Sequence, residues 1–526
     1  MNQVPSPRVL VIGLAEATLD LLLPWAAEGR LPNLRRLIES GASGRLRSQA
    51  PPITPQLWGT IVTGRSPGHH GAFDFWQRGP DGRFRHINGT DLKAPAVWSL
   101  LGERALRCGI LNVPFTYPPQ KIHGFMISGE DAPGAHPSIA HPPGLYQEIT
   151  RRFGRYRLKD IFPGGRKKSD YLTLIPDDVG KQTDVMEYLL REKPWEFAMV
   201  FYSASAIAQH YFWSDMADDN ATNPYRNVIR AAYEALDAAV GRLVDAASRD
   251  CRVFVISDCG AGPLQSGVQV NTFLRQAGFL AYRQRKATAA SRKVVSRLRT
   301  RVQGLLQKWT PKSWYYAVNH HLPGLIAWVQ SYLAGSDIDW SATRAFCRGK
   351  EGDLFINLRG RDPHGIVEPA EYESVRTAII ERLEALVDPA TGQKAVERVY
   401  RAEELYKGPM LASAPDLIIH WSGTAYQPTE SDRDKDSIFV TRWREYMDWP
   451  TSGGHRLEGV LIACGPGIRC GANVTDARII DLLPTWLRCL GQDVPDELEG
   501  RVVTELFERD GHAVDRPGHR QATRAI

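Results

Sequence analysis

Four short segments of this 526-residue chain place hydroxyl, imidazole, carboxyl and thiol groups where chemistry could happen. In PPITPQLWGTIVTGRSPGHHG, Thr54 directly precedes Pro55 and a helical run. Its hydroxyl therefore stands at a helix N-terminus, where backbone N–H groups favour an anion such as phosphate; an ordinary capping threonine would look the same. FYSASAIAQHYFW carries His210 about two helical turns beyond an apolar strand. VFVISDCGAGP ends a very apolar strand on Asp258 and Cys259, and an acid at the mouth of such a strand is costly unless paired or bound to metal. TSGGHRLEGVLIACGPGI places His455 in a glycine-rich loop before another apolar run. Singly, each histidine reads as a satisfied structural residue. Together, a threonine, an aspartate, a cysteine and two histidines at separate strand ends point to metal-assisted phosphoryl chemistry.

The elements that must position these groups alternate between apolar runs and helical patterns, which predicts an α/β fold with a central, mostly parallel sheet sandwiched by helices. Central strands are expected at 8–14, 108–113, 197–202, 252–257, 416–420 and 459–464, with helices at 32–40, 177–191 and 225–247. In such sheets the ligand site lies beyond the carboxyl ends of the strands, where all four segments fall. Residues 283–312 hold ten Lys or Arg and no acid, followed by the aromatic stretch SWYYAVNHHLPGLIAWVQSYL. The region 283–345 reads as an inserted basic and aromatic cap within a domain spanning 1–507. Its basic part also suits peripheral contact with an anionic surface. Residues 508–526 read as a disordered tail.

Bulk properties narrow the function. The chain is 43% hydrophobic and 24% charged, as in a soluble globular protein with a sizeable core. A net charge of +6 favours an anionic small-molecule substrate and falls short of a nucleic-acid signature. The seven cysteines are scattered without a CxxC pair, and no leader-like segment or long apolar run stands out, so a cytoplasmic location is expected. No Walker A loop, GxSxG elbow or kinase signature occurs, and GPGIRCG has the wrong glycine spacing for a dinucleotide fold.

The order of VIGL, GRLPNLRRLIESGASGRLRS, PPITPQLWGTIVTGRSPGHHGAFDFW, GILNVPFTYPP, DIDWSATRAF, INLRGRDPHGIV, EELYKGP, APDLI and SGGHRLEGVLIACGPGI resembles the type I phosphodiesterase and nucleotide pyrophosphatase branch of the alkaline phosphatase superfamily. The resemblance runs from about residue 8 to 507 and implies an alkaline-phosphatase-like fold with two metal ions, usually zinc, clamping the phosphate. It implies Thr54 as nucleophile, Asp258 as the acid of the SDHG motif, His210 as the DxxxH histidine and His455 as the loop histidine.

Three positions depart from the family pattern. Ala15 stands where GLDG carries an aspartate, Ala206 where DxxxH carries one, and Cys259 where SDHG carries a histidine. Each metal site thereby loses a carboxylate, although zinc accepts a cysteine sulfur. Glu16 is adjacent to Ala15, but a one-residue shift along a strand turns a side chain to the opposite face, so it substitutes only if the strand has already ended. The expectation is a divergent phosphodiesterase-like enzyme with zinc or another divalent ion, at most one tightly bound or none, held by residues among Asp258, Cys259, His210 and His455. The alternative is a pseudoenzyme or binding protein that keeps the pocket without hydrolysis.

Overall fold

The computed structural model describes residues 7–79, 82–162, 166–283, 338–349, 351–429, 436–441 and 450–508. Nine strands form the main sheet: β1 (Arg8–Leu14), β2 (Ala42–Arg47), β3 (Cys108–Leu111), β4 (Gly124–Ile127), β5 (Ala140–His141), β6 (Phe197–Tyr202), β7 (Cys251–Ile256), β8 (Glu458–Cys464) and β9 (Ala472–Arg478). Their order is β9-β2-β8-β7-β1-β6-β3-β4-β5. The block β7-β1-β6-β3-β4 is parallel throughout; β8 runs antiparallel between β7 and β2. This is the mostly parallel sheet that the alternating pattern predicts.

Strand β1 shows why the sheet needs two covering layers. Leu10, Ile12 and Leu14 enter one apolar core and Val9 and Val11 the other, as alternation along a strand requires. The first core is roofed by helices α1 (Pro32–Ser40), α3 (Tyr171–Glu192), α4 (Ala204–Met216) and α5 (Val228–Ala247). The second is roofed by α2 (Thr54–Thr63) and α6 (Leu482–Cys489).

The segment read as a central strand at 416–420 needs correcting. It is the strand Leu417–Trp421, but it belongs to a separate sheet in which it pairs antiparallel with Leu354–Ile356 and Val396–Arg401. A five-residue apolar run between turns is equally at home in any sheet with a covered face. Of the cap expected at 283–345, residues 284–337 lie outside the described residues, as does the tail beyond Glu508. No described helix is long and apolar enough to cross a membrane.

Candidate functional site

The parallel strands β1, β6 and β7 end side by side at Leu14, Tyr202 and Ile256, so the residues that follow meet over one edge of the sheet. Strand β8 is antiparallel to β7 and begins at that same edge, with Leu461 opposite Ile256. The strand just before it, Gly453–Arg456, pairs with Gly260–Pro263 and sets His455 opposite Ala261. Topology thus gathers chain from four distant segments.

Strand β1 stops at Leu14, and Glu16 adopts a left-handed backbone with φ 55°. That turn changes which way the carboxylate points. Three bonds hold the turn in place. The Glu16 N–H donates to Asp258 Oδ1 (3.3 Å), Gln209 Nε2 donates to the Glu16 carbonyl (2.9 Å), and Ser205 Oγ donates to the Ala15 carbonyl (2.6 Å). Glu16 Oε1 then lies 3.1 Å from His210 Nε2 and 3.2 Å from His455 Nε2. Its second oxygen, Oε2, is buried and makes no hydrogen bond among the described residues, although it lies 3.0 Å from His210 Nε2. Glu16, His210 and His455 each offer a ligand atom, and these atoms all lie within 4.8 Å of one another.

Both imidazoles are oriented from behind. His210 Nδ1 bonds the Gly453 carbonyl at 2.9 Å, and His455 Nδ1 bonds Glu351 Oε1 at 3.2 Å. A Cβ on Gly453 would stand 2.3 Å from the Gln209 carbonyl, so glycine is what lets this loop reach His210. Outer oxygen partners of this kind fix the tautomer of a metal-binding histidine. A carboxylate and two Nε2 atoms with their other nitrogens tied back suit a zinc-like cation and leave positions open for a ligand. The Glu16 oxygen that makes no hydrogen bond fits the same reading.

The electrostatics follow from this crowding. Burial pushes the Glu16 carboxyl up, but the two imidazoles outweigh it and hold its pKa well below the usual carboxylate range. Burial opposes charge on both histidines too, yet Glu16 raises His210, and Glu16 with Glu351 raises His455 well above the ordinary imidazole value. The carboxylates thus favour the charged form of both rings, and a cation at this position would compete with those protons. Asp258 is pushed up to about 6 by burial and by the charge of Glu16.

The remaining predicted residues take flanking places. Asp258 Oδ2 accepts the Trp58 Nε1–H at 3.1 Å. Trp58 lies one turn into α2, the helix that the half-buried Thr54 opens. Cys259 is buried, and burial together with Asp258, Glu16 and Glu351 raises its thiol well above the ordinary value. It is not one of the three residues whose ligand atoms converge. Ala15 and Ala206 are buried against the second core. Sequence reasoning missed Glu351 and Trp58 altogether. Glu351 lies in a turn with no motif around it, and Trp58 reads as a core aromatic, which it also is.

The sequence profile of type I phosphodiesterases / nucleotide pyrophosphatases matches residues 9–448. The chain belongs to that family. Solved structures agree on the fold. Phosphonoacetate hydrolase from Sinorhizobium meliloti, in complex with phosphonoformate, superposes with TM-score 0.55 at 15% identity, covering 93% of this chain and 96% of that one. Human ectonucleotide pyrophosphatase / phosphodiesterase 5 gives 0.52 at 11% identity, covering 95% and 100%. A search of curated proteins finds no match. Family and fold support a phosphoryl-transfer hydrolase.

Proposed function

We propose that this member of the type I phosphodiesterase family hydrolyses a phosphate-bearing or similar anionic substrate around a single divalent ion held by Glu16, His210 and His455. The observation that carries the reading is the reach of Glu16 to both histidines from a left-handed turn. A carboxylate missing from the family positions 15 and 206 is thereby supplied from position 16. When bound, such an ion would polarise the phosphoryl group and stabilise the charge that develops on it.

The chain's own groups do the rest. Thr54 supplies the attacking hydroxyl from the first turn of α2, where the helix dipole favours the anionic phosphoryl group. Asp258, anchored by the Glu16 N–H and by Trp58 of the same helix, can hold and return a proton near neutral pH. His210 and His455 keep their Nε2 atoms on Glu16 because Gly453 and Glu351 occupy their other nitrogens. Cys259 remains a buried thiol beside this set.

The test is to titrate the metal-stripped protein with zinc or manganese while following hydrolysis of an aryl phosphate and an aryl phosphodiester. Rate should saturate at one ion per chain, and Thr54→Ala should remove at least about two decades of it, the scale of a lost nucleophile. Saturation at two ions, or a rate indifferent to Thr54→Ala, overturns the reading. A second reading, a pocket that binds an anion without turnover, is favoured by Ala15 and Ala206. Metal-dependent binding of phosphate with no hydrolysis by the same protein would select it.

A further inference from the structure

Helix α2 begins at Thr54 without a side-chain cap, so the place of its first turn is set by what surrounds it. Gln56, two residues on, is fully buried, and its side chain reaches back along the chain: Nε2 donates to the Pro51 carbonyl at 2.8 Å. Inside that span the backbone bonds Ile53 N–H to Pro51 (2.9 Å) and Leu57 N–H to Ile53 (3.0 Å). Residues 51–56 are thereby closed into a ring that carries Thr54.

The other end of the Gln56 amide is held from the second sheet. The strand Val396–Arg401 gives way to the single turn Ala402–Leu405, and Tyr406 follows it. Its hydroxyl donates to Gln56 Oε1 at 2.7 Å and lies 3.4 Å from the Ala50 carbonyl. The ring is buried edge-on against Phe73, with centroids 5.1 Å apart, in a small core with Ala402, Ala414 and Ile418. Backbone seals the same junction. The Met410 N–H donates to the Gly68 carbonyl at 2.8 Å, and a Cβ on Gly68 would stand 2.0 Å from the Lys407 carbonyl. Tyr406 is thus a fixed post, and burial raises its hydroxyl well above the ordinary tyrosine value, so it remains a donor. A buried amide bonded at both ends leaves the first turn of α2 little freedom to drift. The three metal-binding residues come from other segments: Glu16 after β1, His210 in α4 and His455 before β8.

We propose that Tyr406 is a positioning residue for the reaction: acting through Gln56, it holds the first turn of α2 so that the Thr54 hydroxyl is aligned for attack on the phosphoryl group. This deepens the hydrolase reading and rests on it. Attack tolerates little misplacement, since a shift of about 1 Å costs on the order of 100-fold in rate. Binding of the ion and of the ground-state substrate does not depend on that alignment.

The test is a mutant cycle on the zinc-loaded full chain, with bis-p-nitrophenyl phosphate as substrate. Tyr406→Phe keeps the ring against Phe73 and removes only the donor, and Gln56→Met breaks the same link from the α2 side. Each should lower kcat about 10- to 100-fold. KM and zinc affinity should hardly move, because the lost interaction matters only in the transition state. Made in a Thr54→Ala background, either substitution should no longer slow the residual rate, since no hydroxyl remains to be aligned. A merely structural role would slow both backgrounds alike. Either variant that keeps a cooperative melting curve decides the matter. An unchanged kcat, a loss that persists in full without Thr54, or a loss that tracks weakened zinc binding overturns the positioning role and leaves the hydrolase reading standing. A parent protein without zinc-dependent turnover overturns both.

Discussion

Trp58 donates its indole N–H to Asp258 at 3.1 Å and so ties the first turns of α2 to the carboxyl end of β7. The indole can lie there only because β1 offers no side chain beneath it. A Cβ on Gly13 would come within 2.9 Å of the Trp58 ring and 3.2 Å of Phe201, which itself meets the indole edge-on.

Gly13→Ala should therefore cost about 1–3 kcal/mol by overpacking. Trp58→Phe should be milder for stability, yet it leaves a buried Asp258 oxygen without its donor. Denaturant unfolding and steady-state rates separate the two effects. The expected pattern is that Gly13→Ala lowers stability more, whereas Trp58→Phe lowers kcat more than it lowers the unfolding midpoint.

Glu351 is held to His455 at 3.2 Å and is nearly fully buried. Removing its charge while keeping its shape should loosen the metal rather than the fold. Glu351→Gln is expected to weaken zinc affinity about 10- to 100-fold, the usual cost of losing a partner behind a ligand. Competition with a chelator of known affinity measures it. Glu16→Gln should do more, since it alters a direct ligand, and an affinity unchanged in both variants would contradict the assigned ligand set.

The family ligand set can be rebuilt. Ala15→Asp, Ala206→Asp and Cys259→His together should raise zinc content from one ion toward two and increase phosphodiester hydrolysis, because fixed ions lower the pKa of the attacking hydroxyl and stabilise developing charge. Elemental analysis after dialysis gives the ion count. Adding Thr54→Ala should abolish the gain in rate while leaving the second ion in place.

His70 sets a pH limit on stability that is separate from the cleft. It is fully buried, its Nδ1 accepts the Ala72 N–H, and its Nε2 meets Thr60 Oγ1 at 3.1 Å. Burial lowers its pKa from 6.5 to about 3. Between those values the unfolded chain binds the proton and the folded chain does not. Stability is thus fully present above about 6.5 and is lost as pH falls toward 3, by up to about 1.4 kcal/mol per pH unit. The difference in unfolding free energy between the parent and His70→Asn, measured from pH 7 to pH 4, should narrow across that window. A difference that stays constant excludes His70 as the source.

Much of this architecture is legible in the amino-acid order. The strands Arg8–Leu14 and Phe197–Tyr202 and the helix Pro32–Ser40 coincide with their apolar periodicity, because buried parallel strands and amphipathic helices leave strong local patterns. Asp258 and His210 are visible as polar residues following such runs, and His455 as one preceding such a run. The role of Glu16 is visible only as a condition, that the strand end before it. It depends on one positive φ, which is secured by Ser205, Gln209 and Asp258 from remote parts of the chain.

The left-handed turn at Glu16 also bears on how such a ligand set could have arisen. Positions 15 and 16 lie on one short hinge, and it is the acid at 16 that meets the pair of imidazoles while Ala15 packs into the second core. An ancestor with acids at both positions would have carried a redundant negative charge, tolerable while two cations were bound and burdensome with one. Loss of the acid at 15 then relieves repulsion instead of destroying the centre. Glu16→Gly combined with Ala15→Asp restores the GLDG arrangement at this hinge. The order in which those two changes are introduced should matter, with the Glu16→Gly intermediate alone bereft of any acid at the hinge.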